Sequence, residues 1–215
     1  MKKFAVILAG NGVFDGAEIH EATMTLYAIA KHGATYDIFA PDINQHHVVN
    51  HITGEEMNEK RNVLVESARI ARGKISSLSE FNADNYDALI LPGGFGVAKN
   101  LCDFAFKGVD CNVNSDVEKA IVDINKQGKL IGALCISPVL VAKVLKGAKV
   151  TIGNDEGTGK AIEEMGGVNE ITNHGEVTID KNLKIYTTPC YMLDASIVDI
   201  ANGAMNVVEA ILEDI

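Results

Sequence analysis

The stretch KLIGALCISPVLVAKVL, residues 129–145, decides the fold class. Its apolar run 130–134 predicts a strand buried on both faces, and the pattern over 136–146 predicts a helix directly after it. Cys135 falls at the junction of the two. A sharp turn there would lift the thiol above the sheet, and the positive N-terminus of the helix would favour a thiolate. The alternative is a core cysteine, because cysteine is among the residue types most often buried.

Strand-like and helix-like segments alternate along the whole chain. Strands are predicted at 2–9, 35–40, 86–94, 130–134 and 148–152, a hairpin at 176–188, and helices at 16–33, 114–129, 136–146, 158–167 and 193–215. Buried strands separated by helices indicate an α/β fold with a mostly parallel sheet that is covered on both faces. We expect residues 1–215 to form a single domain with an insertion at about 41–85, which holds one helix, RNVLVESARIARG.

Composition and charge exclude several classes of partner. The chain has 215 residues, of which 47% are hydrophobic, and a net charge of −10. That charge argues against binding to nucleic acid or to an anionic membrane. The start, MKKFAVILAG, predicts a strand rather than an export signal, because its apolar run is short and no cleavage site follows. The four cysteines lack C-x-x-C spacing, which indicates reduced thiols and a cytoplasmic location.

Two further loops follow predicted strands and carry candidate functional groups. In LPGGFG, residues 91–96, the Gly93 and Gly94 backbone could approach a ligand closely, although a plain turn explains the glycines equally well. In DGAEIHEA, residues 15–22, Glu18 and Glu21 share a helix face, whereas the alternative is a solvated helix start. Ligands bind beyond the carboxyl ends of parallel strands, so we expect these groups to meet Cys135.

The histidines give a weaker signal. His46, His47 and His51 lie in the insertion, and their spacing in an irregular polar loop predicts a solvated loop rather than a metal site.

Six segments in order resemble one known family. They are VILAGNGVFDGAEIHEA, NVLVESARIARG, LILPGGFGVAKNL, ALCISP, TIGND and TTPCYML. Together they resemble the ThiJ/PfpI group of the class I glutamine amidotransferase-like superfamily, and within it the ElbB subfamily, described as isoprenoid-biosynthesis-associated proteins with glyoxalase activity. The resemblance covers nearly the whole chain.

The resemblance implies a flavodoxin-like three-layer sandwich and a homodimer. It implies Cys135 as nucleophile, Glu21 as the carboxylate beside it, and the backbone N–H groups of Gly94 and Ile136 as the oxyanion hole. Many relatives carry a histidine about twenty residues after the cysteine, but this chain has GNDEG there. Asp155 is therefore a possible orienting group in its place.

The activity that the resemblance implies is a cofactor-independent glyoxalase that acts on a small aldehyde, glyoxal or methylglyoxal, without a metal. One alternative is a redox-sensing or chaperone-like protein in which Cys135 oxidises reversibly. Another is an amidase or amidotransferase-like hydrolase, which needs a histidine near Cys135 that only His20 or His174 could supply.

Overall fold

A computed structural model describes residues 1–215 as a sandwich of helices around one main sheet. The strands are β1 (Lys3–Ile7), β2 (Thr35–Ala40), β3 (Ser76–Ser77), β4 (Ala88–Leu91), β5 (Leu130–Leu134), β6 (Lys149–Val150), β7 (Val168–Asn169), β8 (Thr178–Asp180) and β9 (Ile185–Thr188). The helices are α1 (Ile19–Lys31), α2 (Val63–Ile70), α3 (Phe104–Lys107), α4 (Ser115–Lys126), α5 (Ser137–Val144), α6 (Glu156–Glu164) and α7 (Ile197–Glu213).

The main sheet has seven strands in the order β3-β2-β1-β4-β5-β9-β8. Every pair is parallel except β8 and β9, which form the predicted antiparallel hairpin. The central order is that of a flavodoxin-like fold, and the predicted three-layer α/β architecture is confirmed. The chain after β1, β4 and β5 emerges at neighbouring positions along one edge of the sheet, because these strands are adjacent and parallel.

Each central strand is apolar on both faces because helices cover both sides. In β1, Ala5 and Ile7 pack into one hydrophobic core, whereas Phe4 and Val6 pack into a second core on the opposite face. The first core is completed by α4, α5 and α6, and the second by α1 and α7. No helix combines the length and the apolar character that crossing a bilayer requires.

Two predictions about the sheet need correction. The strand predicted at 148–152 forms as β6, but it leaves the main sheet and pairs with β7 in a separate two-stranded sheet. The segment 41–85 is only partly an insertion, because α2 and β3 belong to the sandwich and β3 pairs with β2 at the sheet edge. The loop before α2 packs against the loop that follows β1, where the N–H of Val49 donates to the Asp15 carboxylate at 2.7 Å.

Helix α7 offers a test of the packing. Ile211 is fully buried and its Cδ1 atom lies over Gly132 of β5, where a Cβ atom would be 3.0 Å away. We expect Ile211→Ala to lower the free energy of unfolding by about 2–5 kcal/mol, because it leaves a cavity between helix and sheet. The control is Val198→Ala, because Val198 lies on the same helix and is 62% exposed. This substitution should change the free energy of unfolding by less than about 0.5 kcal/mol. Equal effects of the two variants in urea unfolding would contradict this packing.

Candidate active site

Cys135 occupies a strained turn between β5 and α5. Its φ angle is +59°, in the left-handed region that costs a non-glycine residue about 1–3 kcal/mol. Two hydrogen bonds hold the turn: the N–H of Cys135 donates to the Thr188 carbonyl at 3.0 Å, and the Ser137 hydroxyl donates to the Pro92 carbonyl at 2.8 Å. The second bond joins the Cys135 turn to the glycine turn that follows β4.

The thiol of Cys135 is buried, which corrects the expectation of an exposed and activated thiol. Only 7% of the residue is exposed. Burial raises the pKa of Cys135 well above its ordinary value of 9.0, and the Glu21 carboxyl group raises it further. The backbone N–H groups of Gly94 and Ile136 hydrogen-bond to the sulfur and oppose this shift. The residues expected to form an oxyanion hole therefore do lie at the thiol.

Glu21 lies beside the thiol and is completely buried. Its side chain hydrogen-bonds to Cys135, and its oxygens accept from the N–H of Gly93 at 3.0 Å and the N–H of Tyr191 at 3.3 Å. Burial first, and the charge of Glu18 second, raise its pKa from 4.5 to about 8. At neutral pH the carboxyl group therefore carries a proton, which it can donate toward sulfur or toward a bound substrate.

Glu18 has a different role from Glu21. It is the N-cap residue of α1, where its carboxylate accepts from the N–H of Glu21 at 2.7 Å. Glu18 is therefore used to cap the helix, and Glu21 is the carboxyl group beside the thiol, as expected.

The glycine turn after β4 brings these groups together. A Cβ atom on Gly93 would lie 2.4 Å from the Cβ of Cys135 and 2.6 Å from Oε2 of Glu21, so no side chain fits there. Gly94 has φ of +99°, and a Cβ atom on it would meet the N atom of Glu18 at 2.3 Å. A plain turn would not need both features, and the close approach of backbone to functional groups explains both glycines.

A second support for Glu21 comes from residues that sequence reasoning missed. Tyr191 follows β9, and besides its N–H bond to Glu21 its hydroxyl lies 2.8 Å from Nδ1 of His20 on α1. Cys190, just before it, has φ of +44°. Tyr191 is thus bonded to α1 at both ends. The segment TTPCYML contains the residue, but no spacing in the sequence connects it with Glu21.

Asp155 is not brought to the thiol. Its carboxylate caps α6 and accepts from the N–H of Thr158 at 2.7 Å, and it makes no hydrogen bond to Cys135. The orienting role expected for Asp155 is therefore wrong, because the carboxylate is used locally at a helix N-terminus. No histidine hydrogen-bonds the thiol either; His20 bonds to Tyr191 instead.

The histidines of the segment 41–85 pack against aromatic rings. His46 stacks on Phe106 with ring centroids 4.1 Å apart, and His51 packs on Phe14 at 4.9 Å. No group of three or more His, Cys, Asp or Glu side chains is placed to hold a metal ion.

The arrangement of a thiol, a carboxyl group and a glycine turn can be compared with known proteins. The sequence profile described as the DJ-1/PfpI family matches residues 11–188. The chain belongs to the DJ-1/PfpI family. The human "Glutamine amidotransferase-like class 1 domain-containing protein 3, mitochondrial" is 44% identical over 98% of this chain and 82% of its own length. The zebrafish "ES1 protein, mitochondrial" is 35% identical over 87% of this chain and 76% of its own.

Solved structures of this family share the fold. The isoprenoid biosynthesis protein with amidotransferase-like domain from Ehrlichia chaffeensis is 35% identical, covers 99% of this chain and 100% of its own, and superposes with a TM-score of 0.93. Drosophila melanogaster DJ-1beta, at 17% identity and a TM-score of 0.58 over 98% of this chain and 90% of its own, shows the fold alone. The family includes enzymes as well as proteins of other function.

The close approach at Gly93 can be tested by filling it. We expect Gly93→Ala to lower the free energy of unfolding by about 1–3 kcal/mol, because the new methyl group overlaps Cys135 and Glu21. The control is Gly157→Ala in α6, where a Cβ atom meets only Oδ1 of Asp155 at 3.6 Å. That substitution should leave stability unchanged or raise it by up to about 1 kcal/mol. Equal stability of the two variants in urea unfolding would contradict the close approach of the glycine turn to the thiol and the carboxyl group.

The raised pKa of Glu21 predicts how stability depends on pH. Between pH 4.5 and about 8 the native state keeps a proton on Glu21 that the unfolded chain has lost, so this group makes the protein less stable as the pH rises. Glu21→Gln cannot ionise. We therefore expect the stability of Glu21→Gln relative to wild type to increase across this window and to level off above it. A pH-independent difference in denaturant titrations would show that the carboxyl group ionises normally.

Proposed function

We propose that this protein is a glutathione-independent glyoxalase that converts glyoxal to glycolate or methylglyoxal to lactate. The observation that carries the proposal is the contact between the Cys135 thiol and the Glu21 carboxyl group, whose pKa is raised to about 8. A general acid–base residue works best when its pKa lies near the working pH. Glu21 meets that condition and lies within reach of the sulfur.

The reaction begins at sulfur. In the fraction of molecules in which Glu21 is ionised, its carboxylate takes the proton of the Cys135 thiol and the sulfur attacks the aldehyde carbon. The carbon–sulfur bond forms as the carbonyl π bond breaks. The resulting oxyanion recovers the proton from Glu21, which gives a hemithioacetal and leaves Glu21 as a carboxylate. The N–H groups of Gly94 and Ile136, which hydrogen-bond to the sulfur, are placed to stabilise the developing oxyanion. No cation is needed at this point, because the charge that forms is held by backbone donors.

Glu21 then moves a proton between neighbouring carbons. As a carboxylate it removes the proton from C1, which gives an enediolate, and the hydroxyl proton moves from the C1 oxygen to the C2 oxygen. As a carboxylic acid Glu21 then returns its proton to C2, and C1 becomes a carbonyl. The product is a thioester of the 2-hydroxy acid on Cys135. Water hydrolyses the thioester, which releases glycolate or lactate and restores the thiol. The sum is one aldehyde and one water converted to one acid, with no net oxidation and no cofactor.

The limited access to Cys135 favours a small substrate. Two surface cavities, of about 820 and 610 Å³, are lined by residues around β2 and by the loop 44–60, and neither is lined by Cys135 or Glu21. A two- or three-carbon aldehyde is better suited to a thiol that is 7% exposed than a peptide or a nucleotide would be.

Within the family, we place this chain in the ElbB subfamily. The similarity to the Ehrlichia chaffeensis protein, which is named for isoprenoid biosynthesis and an amidotransferase-like domain, supports that placement. We also propose a homodimer, to be tested by light scattering. The cytoplasmic location expected from the sequence stays a prediction, since the curated relatives carry "mitochondrial" in their names.

A second candidate function is redox sensing at Cys135. The observation that favours it is the same buried carboxyl group, because a protonated Glu21 could donate a hydrogen bond to an oxidised sulfur and stabilise a sulfinic acid. Turnover separates the two candidates: a sensor would show oxidation of Cys135 with negligible kcat/KM on either aldehyde.

Substitutions test the assigned roles. We expect Cys135→Ala to reduce methylglyoxal turnover to the uncatalysed level, because no nucleophile remains. Glu21→Gln should lower kcat by about 10²–10⁴-fold, the usual contribution of a general acid–base residue. The control is Cys111→Ser, a buried thiol in another part of the core, which should retain wild-type turnover. Lactate release is followed together with circular dichroism, and wild-type turnover in a folded Cys135→Ala variant would refute the mechanism.

A further inference from the structure

Two thiols outside the site, Cys102 and Cys111, lie at the ends of one short surface segment. Cys102 directly follows a π-helical turn, Val97–Leu101, and Cys111 directly follows a 3-10 turn, Gly108–Asp110. Both residues are buried, neither is in a disulfide, and both belong to the core that packs under α4 and α5. The proposed glyoxalase chemistry uses neither of them.

The backbone places the two side chains on one face. Residues 101–103 pair with 112–114 in antiparallel fashion: Cys102 bridges Val113, and the N–H of Asp103 donates to the Asn112 carbonyl at 3.1 Å. Side chains two residues apart point to the same face of an extended strand, so Cys111 lies diagonally across from Cys102. The thiol of Cys102 donates to the Val97 carbonyl at 3.3 Å, and the two cysteines lie close enough for each to shift the pKa of the other.

The surroundings make the two thiols unequal. The neighbouring Cys102 side chain and the nearby Lys143 ammonium group lower the pKa of Cys111. The ammonium is fixed there, because it donates to the Val109 carbonyl at 2.7 Å. The neighbouring Cys111 side chain, together with burial, raises the pKa of Cys102. Cys111 is thus the nucleophilic thiol of the pair, and Cys102 keeps its proton.

The covering segment rests on the core through partly buried side chains only, chiefly Phe104 and Val109. None of residues 103–110, which include α3, is buried. Gly108 has φ of +54° and no atom lies within 4 Å of the position of a Cβ on it. Segments with few buried contacts open locally at low free-energy cost. Such opening would admit a small reagent to both sulfurs while the rest of the fold stays intact. It would also let the two cysteines approach, because diagonal positions on an antiparallel pair are about 7–8 Å apart and a disulfide needs less than about 7 Å between Cα atoms.

We propose that Cys111 and Cys102 form a second reactive site, which reduces hydrogen peroxide and closes to an intramolecular disulfide. The Cys111 thiolate attacks one peroxide oxygen and the O–O bond breaks; with one proton taken up, this gives a Cys111 sulfenic acid and water. The Cys102 thiol then attacks the Cys111 sulfur, forming the S–S bond and releasing a second water. Two thiols are oxidised by two electrons, and one peroxide is reduced to two waters.

Cys102 and Cys111 differ from Cys135 and Cys190 in the groups that surround their thiols. Cys135 contacts the Glu21 carboxyl group, and burial raises the pKa of both Cys135 and Cys190. Neither has a lysine among the groups that shift its pKa. Cys190 is therefore the matched control, as a buried thiol without a nearby cation.

The test uses the full chain treated with excess hydrogen peroxide, then denatured and alkylated so that burial protects no remaining thiol. Trypsin cuts after Lys99, Lys107 and Lys119, so the disulfide would join peptides 100–107 and 108–119, which hold one cysteine each. We expect this cross-linked pair in wild type and in Cys190→Ser. In Cys102→Ser we expect a Cys111 sulfenic acid that a 1,3-dione probe traps, and in Cys111→Ser an alkylated Cys102.

Wild type alone can overturn the proposal. The proposal is wrong if both cysteines are recovered as alkylated thiols after peroxide treatment. It is also wrong if Cys111 is irreversibly oxidised and no cross-link forms. Lys143→Met should slow cross-linking several-fold, because it removes the cation beside Cys111, and an unchanged rate would contradict that part of the assignment. These outcomes do not depend on aldehyde turnover.

Discussion

The contact between the Cys135 thiol and the Glu21 carboxyl group constrains everything around it. Both groups are buried, and burial raises the pKa of each. The Glu21 carboxyl group raises the pKa of Cys135 further, whereas the hydrogen bond with Cys135 lowers the pKa of Glu21, and no lysine, arginine or histidine is among the groups that shift either pKa. Two negative charges in such a place would be strongly unfavourable, so the pair holds at least one proton at neutral pH. The carboxyl group is useful to the buried thiol because, with a pKa near 8, it can receive, hold and return a proton during a reaction.

The sheet order makes the contact possible. Glu21 lies just after the loop that follows β1, Gly93 and Gly94 follow β4, and Cys135 follows β5, and these three strands are neighbours. The remaining support comes from β9 and the turn after it. Its last residue, Thr188, accepts the Cys135 N–H, and Tyr191 in the next turn donates to Glu21. The strain at Cys135 is sustained because hydrogen bonds to carbonyl groups at the ends of β9 and β4 fix the turn.

The parallel sheet and the meeting of the loops after β1, β4 and β5 could be predicted, because apolar strand runs and their following loops are local features of the sequence. The choice of Glu21, Gly94 and Ile136 within those loops came from the family resemblance. The burial of Cys135 could not, since it depends on how closely the glycine turn and α1 pack over the thiol. Nor could the contact of Tyr191, which is 170 residues from Glu21 in the chain. Asp155 failed as a site residue because an aspartate before a helix is equally suited to capping it. Strand β6 was recognised, but its partner depends on tertiary packing.

The protonation state of Glu21 is the property on which the proposed chemistry depends most directly. It can be measured by NMR, from the pH dependence of the side-chain carboxyl ¹³C chemical shift in protein labelled at glutamate and assigned with Glu21→Gln. The burial of this carboxyl group, together with the charge of Glu18, predicts a titration midpoint near pH 8. A midpoint near the ordinary value of 4.5 would mean that Glu21 is a carboxylate at neutral pH, and it would contradict the role of this residue as a proton donor.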